Sequence, residues 1–147
     1  MDMLKHLLLP VDLQHPSSWD YALPTAIALA RQNRARLTLL SVTPNFGTPL
    51  VAGYFPQDYA EQIRKALHDR LQVFAENHLP AELQSDFLIA DGKVWEAVLE
   101  SAEKLGVDLI IMASHKRPKL ERILLGTNAM RVVQQAAQSV MIVRTPH

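Results

Sequence analysis

The 147-residue chain contains no cysteine. Disulfides, thiolate metal sites and a cysteine nucleophile are thereby excluded, and the usage suits an intracellular protein. Long hydrophobic runs are missing too: no stretch approaches the ~20 apolar residues of a membrane span. The opening, MDMLKHLLLPVD, has too short an apolar run for a signal peptide and no small-residue cleavage site. A soluble, cytoplasmic protein is expected. Neither sign of charge is in excess. Lys+Arg and Asp+Glu balance at 15 each, so no global field points to nucleic acid or to an acidic membrane surface. Glycine is scarce, and Gly47, Gly53, Gly92, Gly106 and Gly126 form neither a G-x-x-x-x-G-K-[ST] phosphate loop nor a G-x-G-x-x-G fingerprint. The histidines show no paired metal spacing on a helix face. There is no G-x-S-x-G elbow, and adjacent residues on an extended segment point apart, so Ser114-His115 is not read as a hydrolytic pair. His115 is read as a ligand-loop or structural residue.

What remains is an ordinary globular composition. Hydrophobic residues make up 48% and charged residues 20%, enough to bury a core and too apolar for disorder. One domain over residues 1–147 is expected. Short apolar runs at Leu4–Val11, Arg36–Val42, Gln84–Ile89, Val107–Met112 and Ser139–Arg144 read as strands. Helical patterns at 17–33, 57–78, 93–105 and 127–137 lie among them. Such alternation predicts an α/β fold, an open five-stranded parallel sheet with helices on both faces.

Several local signals sharpen this reading. Ser17 is a candidate N-cap with Asp20 three residues on, and Pro24 should kink the helix that follows. Val94, Ala97, Val98, Ser101, Ala102 and Leu105 form one apolar stripe, stopped by Gly106. Thr43–Pro56 is a long irregular connection rich in glycine and proline, the composition of a mobile excursion or a functional flap.

Ligands of open parallel sheets bind beyond the carboxyl ends of the strands, where neighbouring connections leave to opposite faces. Two segments occupy such positions. After the first strand comes PVDLQHPSS, in which Pro10 deletes a ladder hydrogen bond, a loss tolerable where the strand already splays from its neighbour. Asp12 then stands at the crevice rim, or serves as a turn residue before Pro16. After the fourth strand comes ASHKRPKLERILLGTN. Its Gly126-Thr127-Asn128-Ala129 precedes a helical pattern, and a helix start exposes unpaired N–H groups that attract anions. Thr127 can cap that helix or donate to a phosphate. Lys116, Arg117, Lys119 and Arg122 crowd the same loop, as phosphate partners or as a solvated basic surface.

Over nearly its whole length the chain resembles the universal stress protein family. HLLLPVDLQHPSSWDYALPTAIALA is similar to the family's opening strand, Val/Ile-Pro-x-Asp turn and first helix; DGKVWEAVLESAEKLGVDLIIMASH resembles its third helix and fourth strand; LLGTNAMRVVQQAAQSVMIVR resembles its closing segment. The resemblance implies strand order 3-2-1-4-5, a Rossmann-like sheet of the adenine nucleotide α-hydrolase kind that makes the first and fourth strands neighbours. Nucleotide-binding members carry Gly-x2-Gly-x9-Gly-Ser/Thr around the ATP phosphates. Here Ala113 and Lys116 replace the first two glycines, whereas Gly126-Thr127 keep the last pair at the family's spacing. Lys116 resists a positive φ but supplies a cation, and this loop is similar to a branch of the family with Ala-Ser-His followed by a basic residue. ATP, with or without Mg, is the implied cofactor. Its base and ribose fall near Pro10, Val11, Asp12 and Val42, and its phosphates along Met112, Ala113, Ser114, His115, Lys116 and Arg117 and along Gly126, Thr127, Asn128 and Ala129.

Three functions stay open: an ATP-binding regulator of the stress response acting through assembly or a protein partner, a slow ATPase, and a nucleotide-free partner-binding module. Beyond Asp12 there is no evident general base. A homodimer through Ser139–Arg144 is expected, because an apolar edge strand is a liability unless paired, and the resemblance implies the same association.

Overall fold

The computed structural model describes residues 3–43, 58–114 and 125–144. Its strands are β1 (His6–Pro10), β2 (Arg36–Thr43), β3 (Ser85–Asp91), β4 (Leu109–Ala113) and β5 (Ser139–Val143). Its helices are α1 (Ala22–Asn33), α2 (Tyr59–His78), α3 (Val94–Leu105) and α4 (Thr127–Gln135), with a short 3-10 turn at Pro16–Ser18. Every strand pair is parallel and the order is β3-β2-β1-β4-β5, as expected. No described helix is long and apolar enough to cross a membrane.

The central strands read as unbroken apolar runs because both faces of the sheet are covered. Leu7, Leu8 and Leu9 are all fully buried. Successive side chains alternate sides, so Leu7 and Leu9 pack under α1 with Ala22, Ala26 and Phe74, whereas Leu8 packs with Val98, Ala102 and Val132 of α3 and α4. Each buried leucine contributes about 1.5–3 kcal/mol of transfer free energy, so the three-residue run anchors both layers at once. The expected stripe of α3 does face the core, with Ala97, Val98, Ser101 and Ala102 buried and Val94 and Leu105 packed at its edges.

Two local expectations fail for identifiable reasons. Ser17 caps nothing: Pro16–Ser18 forms the 3-10 turn, and α1 starts only at Ala22, after Tyr21, without a side-chain cap. The neighbouring Ser18 instead bonds back to Asp12. Pro24 consequently falls in the first turn of α1, where a backbone N–H has no intrahelical acceptor, and the ground for a kink disappears. The expected fourth strand also began too early. Val107 closes α3 by donating its N–H to the Ala102 carbonyl (3.1 Å), and Asp108 accepts the N–H groups of Lys5 and His6 (2.8 and 3.0 Å). The segment from Thr43 to Pro56 lies, beyond Thr43, outside the described residues.

Gly106 ends α3 at φ 65°, with Ala102 and Glu103 carbonyls accepting the closing N–H groups. No atom lies within 4 Å of where its Cβ would stand, so a side chain there meets only backbone strain. Gly106→Ala is expected to cost about 1–2 kcal/mol. Urea denaturation should show a lower midpoint at an unchanged m-value.

Candidate functional site

The site begins with a split in the sheet. β1 follows β2 in register from His6↔Arg36 to Pro10↔Leu40, and β4 follows β5 from Leu109↔Ser139 to Ala113↔Val143. Between β1 and β4 only Leu7↔Leu109 and Leu8↔Ile110 pair. Beyond Leu8 the two halves diverge, and Pro10 lies past that last rung, where its missing N–H takes nothing from the β1–β4 pair.

A cavity of about 540 Å³ opens at this place. Its described walls are the ends of β1 and β2 (Pro10, Val11, Asp12, Leu40 to Thr43), the end of β4 (Met112, Ala113), Gly92 and Val94 after β3, Asn128 of α4, and one face of α2. Pro10, Val11, Asp12, Val42, Met112, Ala113 and Asn128 were expected from the sequence, and the fold brings them to one enclosure.

Asp12 is both a rim residue and a turn residue. One carboxylate oxygen accepts the Gln14 N–H (3.0 Å) and the other meets His15 Nδ1 (2.8 Å). Its backbone is clasped by Ser18, whose Oγ accepts the Asp12 N–H (2.9 Å) and donates to the Asp12 carbonyl (3.1 Å). Ser41 Oγ donates to the Val11 carbonyl (2.6 Å), tying the end of β1 to β2. These bonds set the loop's shape before any ligand arrives.

At the other side, Gly126 is the N-cap of α4 in extended conformation and Thr127 is the first helical residue rather than the cap. The first intrahelical bond is Met130 N–H to the Gly126 carbonyl (2.9 Å). The N–H groups of Thr127, Asn128 and Ala129 therefore have no intrahelical acceptor, which leaves a partial positive charge at this end. Asn128 Oδ1 accepts the Trp95 N–H (3.2 Å) and so ties the starts of α3 and α4 together. Ala129 turns its methyl into the core, so only its backbone is available. Ser114 is fully buried, and its hydroxyl has no hydrogen-bond partner among the described residues although its N–H reaches the Val143 carbonyl at 3.0 Å. His115, Lys116 and Arg117, with Lys119 and Arg122, lie outside the described residues.

The α2 wall escaped the sequence reading. Ile63, Ala66, Leu67 and Arg70 recur at one-turn spacing and line the cavity. The period is visible in the sequence, but it signals only a helix face, not what that face meets. Gly92 was missed likewise; at φ 104° it lets the chain turn from β3 into α3 beside the cavity. Among the described residues no three His, Asp or Glu side chains gather as a metal site.

The comparisons with known proteins agree with this architecture. Universal stress protein G of Shigella flexneri is 30% identical over 147 residues, covering 97% of this chain and 100% of that one. Universal stress protein YxiE of Bacillus subtilis is 27% identical over 152 residues, at 97% and 100% coverage. Among solved structures, the hypothetical protein MJ0577 superposes with a TM-score of 0.73 at 21% identity, over 99% of each chain. A universal stress protein in complex with cAMP superposes with a TM-score of 0.60 at 21% identity, over 97% of this chain and 98% of that one. The family model matches residues 3–144, and the chain belongs to the Universal stress protein family.

Proposed function

We propose that the cavity binds ATP and that the protein is a nucleotide-dependent regulator of the stress response, working in the cytoplasm through assembly or a protein partner. The observation that carries this reading is the convergence, in one cavity of about 540 Å³, of the Pro10–Asp12 turn, the end of β4 and the first turn of α4. Family membership supports it, as does the relative solved with cAMP. On this reading the base and ribose rest against Pro10, Val11, Asp12 and Val42. The phosphates run along Met112 to Arg117 and Gly126 to Ala129, where N–H donors and the helix dipole favour an anion. The buried hydroxyl of Ser114 and the amide of Asn128 are further donors on this side. ATP would bring any Mg with it, coordinated chiefly by its own phosphates and water.

Binding is favoured over turnover. Asp12, the candidate base, already has each carboxylate oxygen engaged, by Gln14 and by His15. A general base must reach a proton on the attacking water, and no other described carboxylate or histidine lines the cavity.

Assembly is proposed to use β5. It is an outer strand of the described sheet, and Val140 and Ile142 pack on one face while Met141 and Val143 pack on the other. These four side chains are only half-buried within one chain, so a second copy would cover them further as well as satisfy the unpaired backbone edge.

Isothermal calorimetry with MgATP is expected to show saturable heat and a raised thermal midpoint; neither at millimolar nucleotide would favour the nucleotide-free module. Gly126→Val should abolish binding by blocking approach to the helix start. Thr127→Ala should weaken it by about 1–2 kcal/mol, the value of about one hydrogen bond. Lys116→Ala should weaken ATP more than adenosine.

Sedimentation equilibrium should report a dimer at micromolar concentration. A monomer there would rule out the β5 pairing.

A further inference from the structure

The polar side chains of the cavity are mostly committed to the fold. Asp12 is held by Gln14 and His15, Ser18 by the Asp12 backbone, and Ser41 by the Val11 carbonyl. Thr43 donates to Asp91, and Asn128 gives its carbonyl oxygen to Trp95. Arg70 differs. It ends the cavity-lining stripe of α2, is exposed, and has no hydrogen-bond or ion-pair partner among the described residues. Of the other cations on that helix, Lys65 does not line the cavity and Arg64 is engaged with Asp91 and the Ile89 carbonyl. Asp12 is the one carboxylate among the described lining residues, and its oxygens are taken. Arg70 therefore offers five N–H donors and a permanent charge to whatever occupies the space.

Its place in the sheet order says which part of a ligand it meets. α2 stands over β3, to which Arg64 ties it through Asp91, whereas α4 packs beside β5. β3 and β5 are the opposite edges of the order β3-β2-β1-β4-β5. The Arg70 side and the α4 N-terminus thus flank the cavity from opposite sides, with no free carboxylate between them among the described residues.

We propose that Arg70 is a specificity-determining residue that recognises a second anionic group on the ligand, carried away from the end held by α4: a phosphate on the ribose of a nucleotide. This rests on the nucleotide reading above and names the ligand class within it. The adenine edge is a poor partner for a guanidinium, because it presents an amino donor beside its N7 acceptor and so pairs with Asn or Gln. A phosphate presents only acceptors and matches the guanidinium fork in two bonds. Ile63, Ala66 and Leu67, on the same stripe, supply the apolar surface for the base while Arg70 takes the charge.

Calorimetry on the full chain with AMP, adenosine 2′,5′-bisphosphate, adenosine 3′,5′-bisphosphate and ATP tests this. One bisphosphate is expected to bind about tenfold tighter than AMP, the range of a single charge-assisted pair. In Arg70→Met that ratio should fall to about one, and Arg70→Lys should recover part of it, since lysine keeps the charge without the fork. Arg70 is exposed, so an unchanged thermal midpoint for Arg70→Met will certify the fold. ATP binding with no bisphosphate preference, or a preference that survives Arg70→Met, overturns the role of Arg70 and leaves the nucleotide reading standing. Absence of binding by all four probes overturns both.

Discussion

The structure depends on how briefly β1 and β4 stay together. Two rungs, Leu7↔Leu109 and Leu8↔Ile110, join the β3-β2-β1 half of the sheet to the β4-β5 half. Those rungs lie within the core, where Leu7, Leu8 and Ile110 are fully excluded from water and Leu109 is buried. Apolar burial on both faces thus holds the halves together where few ladder bonds do. Had the pairing continued to Pro10 and Met112, those ends would be zipped and the cavity between them would be closed. The opening also relieves a local difficulty, since Pro10 has no N–H to contribute to a further rung.

Around that opening the chain fixes its polar groups internally. Ser18 clasps Asp12, Ser41 holds the Val11 carbonyl, Thr43 and Arg64 meet at Asp91, and Asn128 links two helix starts. A rim built this way is preorganised, because the rotamers that shape it are locked before binding, and less ordering remains to be done when a ligand arrives. The exceptions stand out against this background. The first-turn N–H groups of α4, the buried hydroxyl of Ser114 and the guanidinium of Arg70 are donors without acceptors in the described fold. A buried unsatisfied hydroxyl alone costs about 1–3 kcal/mol, so such groups persist most readily where something else satisfies them. All can donate, and of these groups Arg70 and the backbone of Asn128 stand in the cavity wall itself.

Two helices divide their labour along their own lengths. α2 buries only Leu71 and Phe74, in its C-terminal half, where Phe74 meets Trp19 edge-on at 4.9 Å and stacks on His78 at 4.3 Å. Its N-terminal half has no buried residue and lends Ile63, Ala66 and Leu67 to the cavity wall, with Arg70 following one turn later. One end is thus anchored by aromatic packing and the other forms a cavity wall. α4 is arranged similarly: Ala129 and Val132 enter the core, Arg131 lies over the Trp95 ring at 4.9 Å, and the N-terminal N–H groups point out of the helix end.

Periodicity and local chemistry in the chain were enough to specify the alternating strands and helices, the double-sided burial of Leu7–Leu9, the stripe of α3 and its glycine stop, and the helix start at Gly126-Thr127. Those features depend on a residue and its near neighbours, through side-chain alternation, helix period and the backbone freedom of glycine. The family pattern further supplied the strand order. Tertiary structure decided the rest. Ser17 looked like a cap until Ser18 closed on Asp12, and Val107 looked like a strand residue until its N–H closed α3. The stripe at Ile63–Arg70 could have faced solvent, core or cavity, since a helical period states which residues share a side and not what lies opposite. The length of the β1–β4 pairing and the place of Arg70 on a cavity wall are set by partners distant in sequence, and the engaged carboxylate of Asp12 by backbone closure of its turn onto Gln14 and His15. No local pattern encodes such contacts.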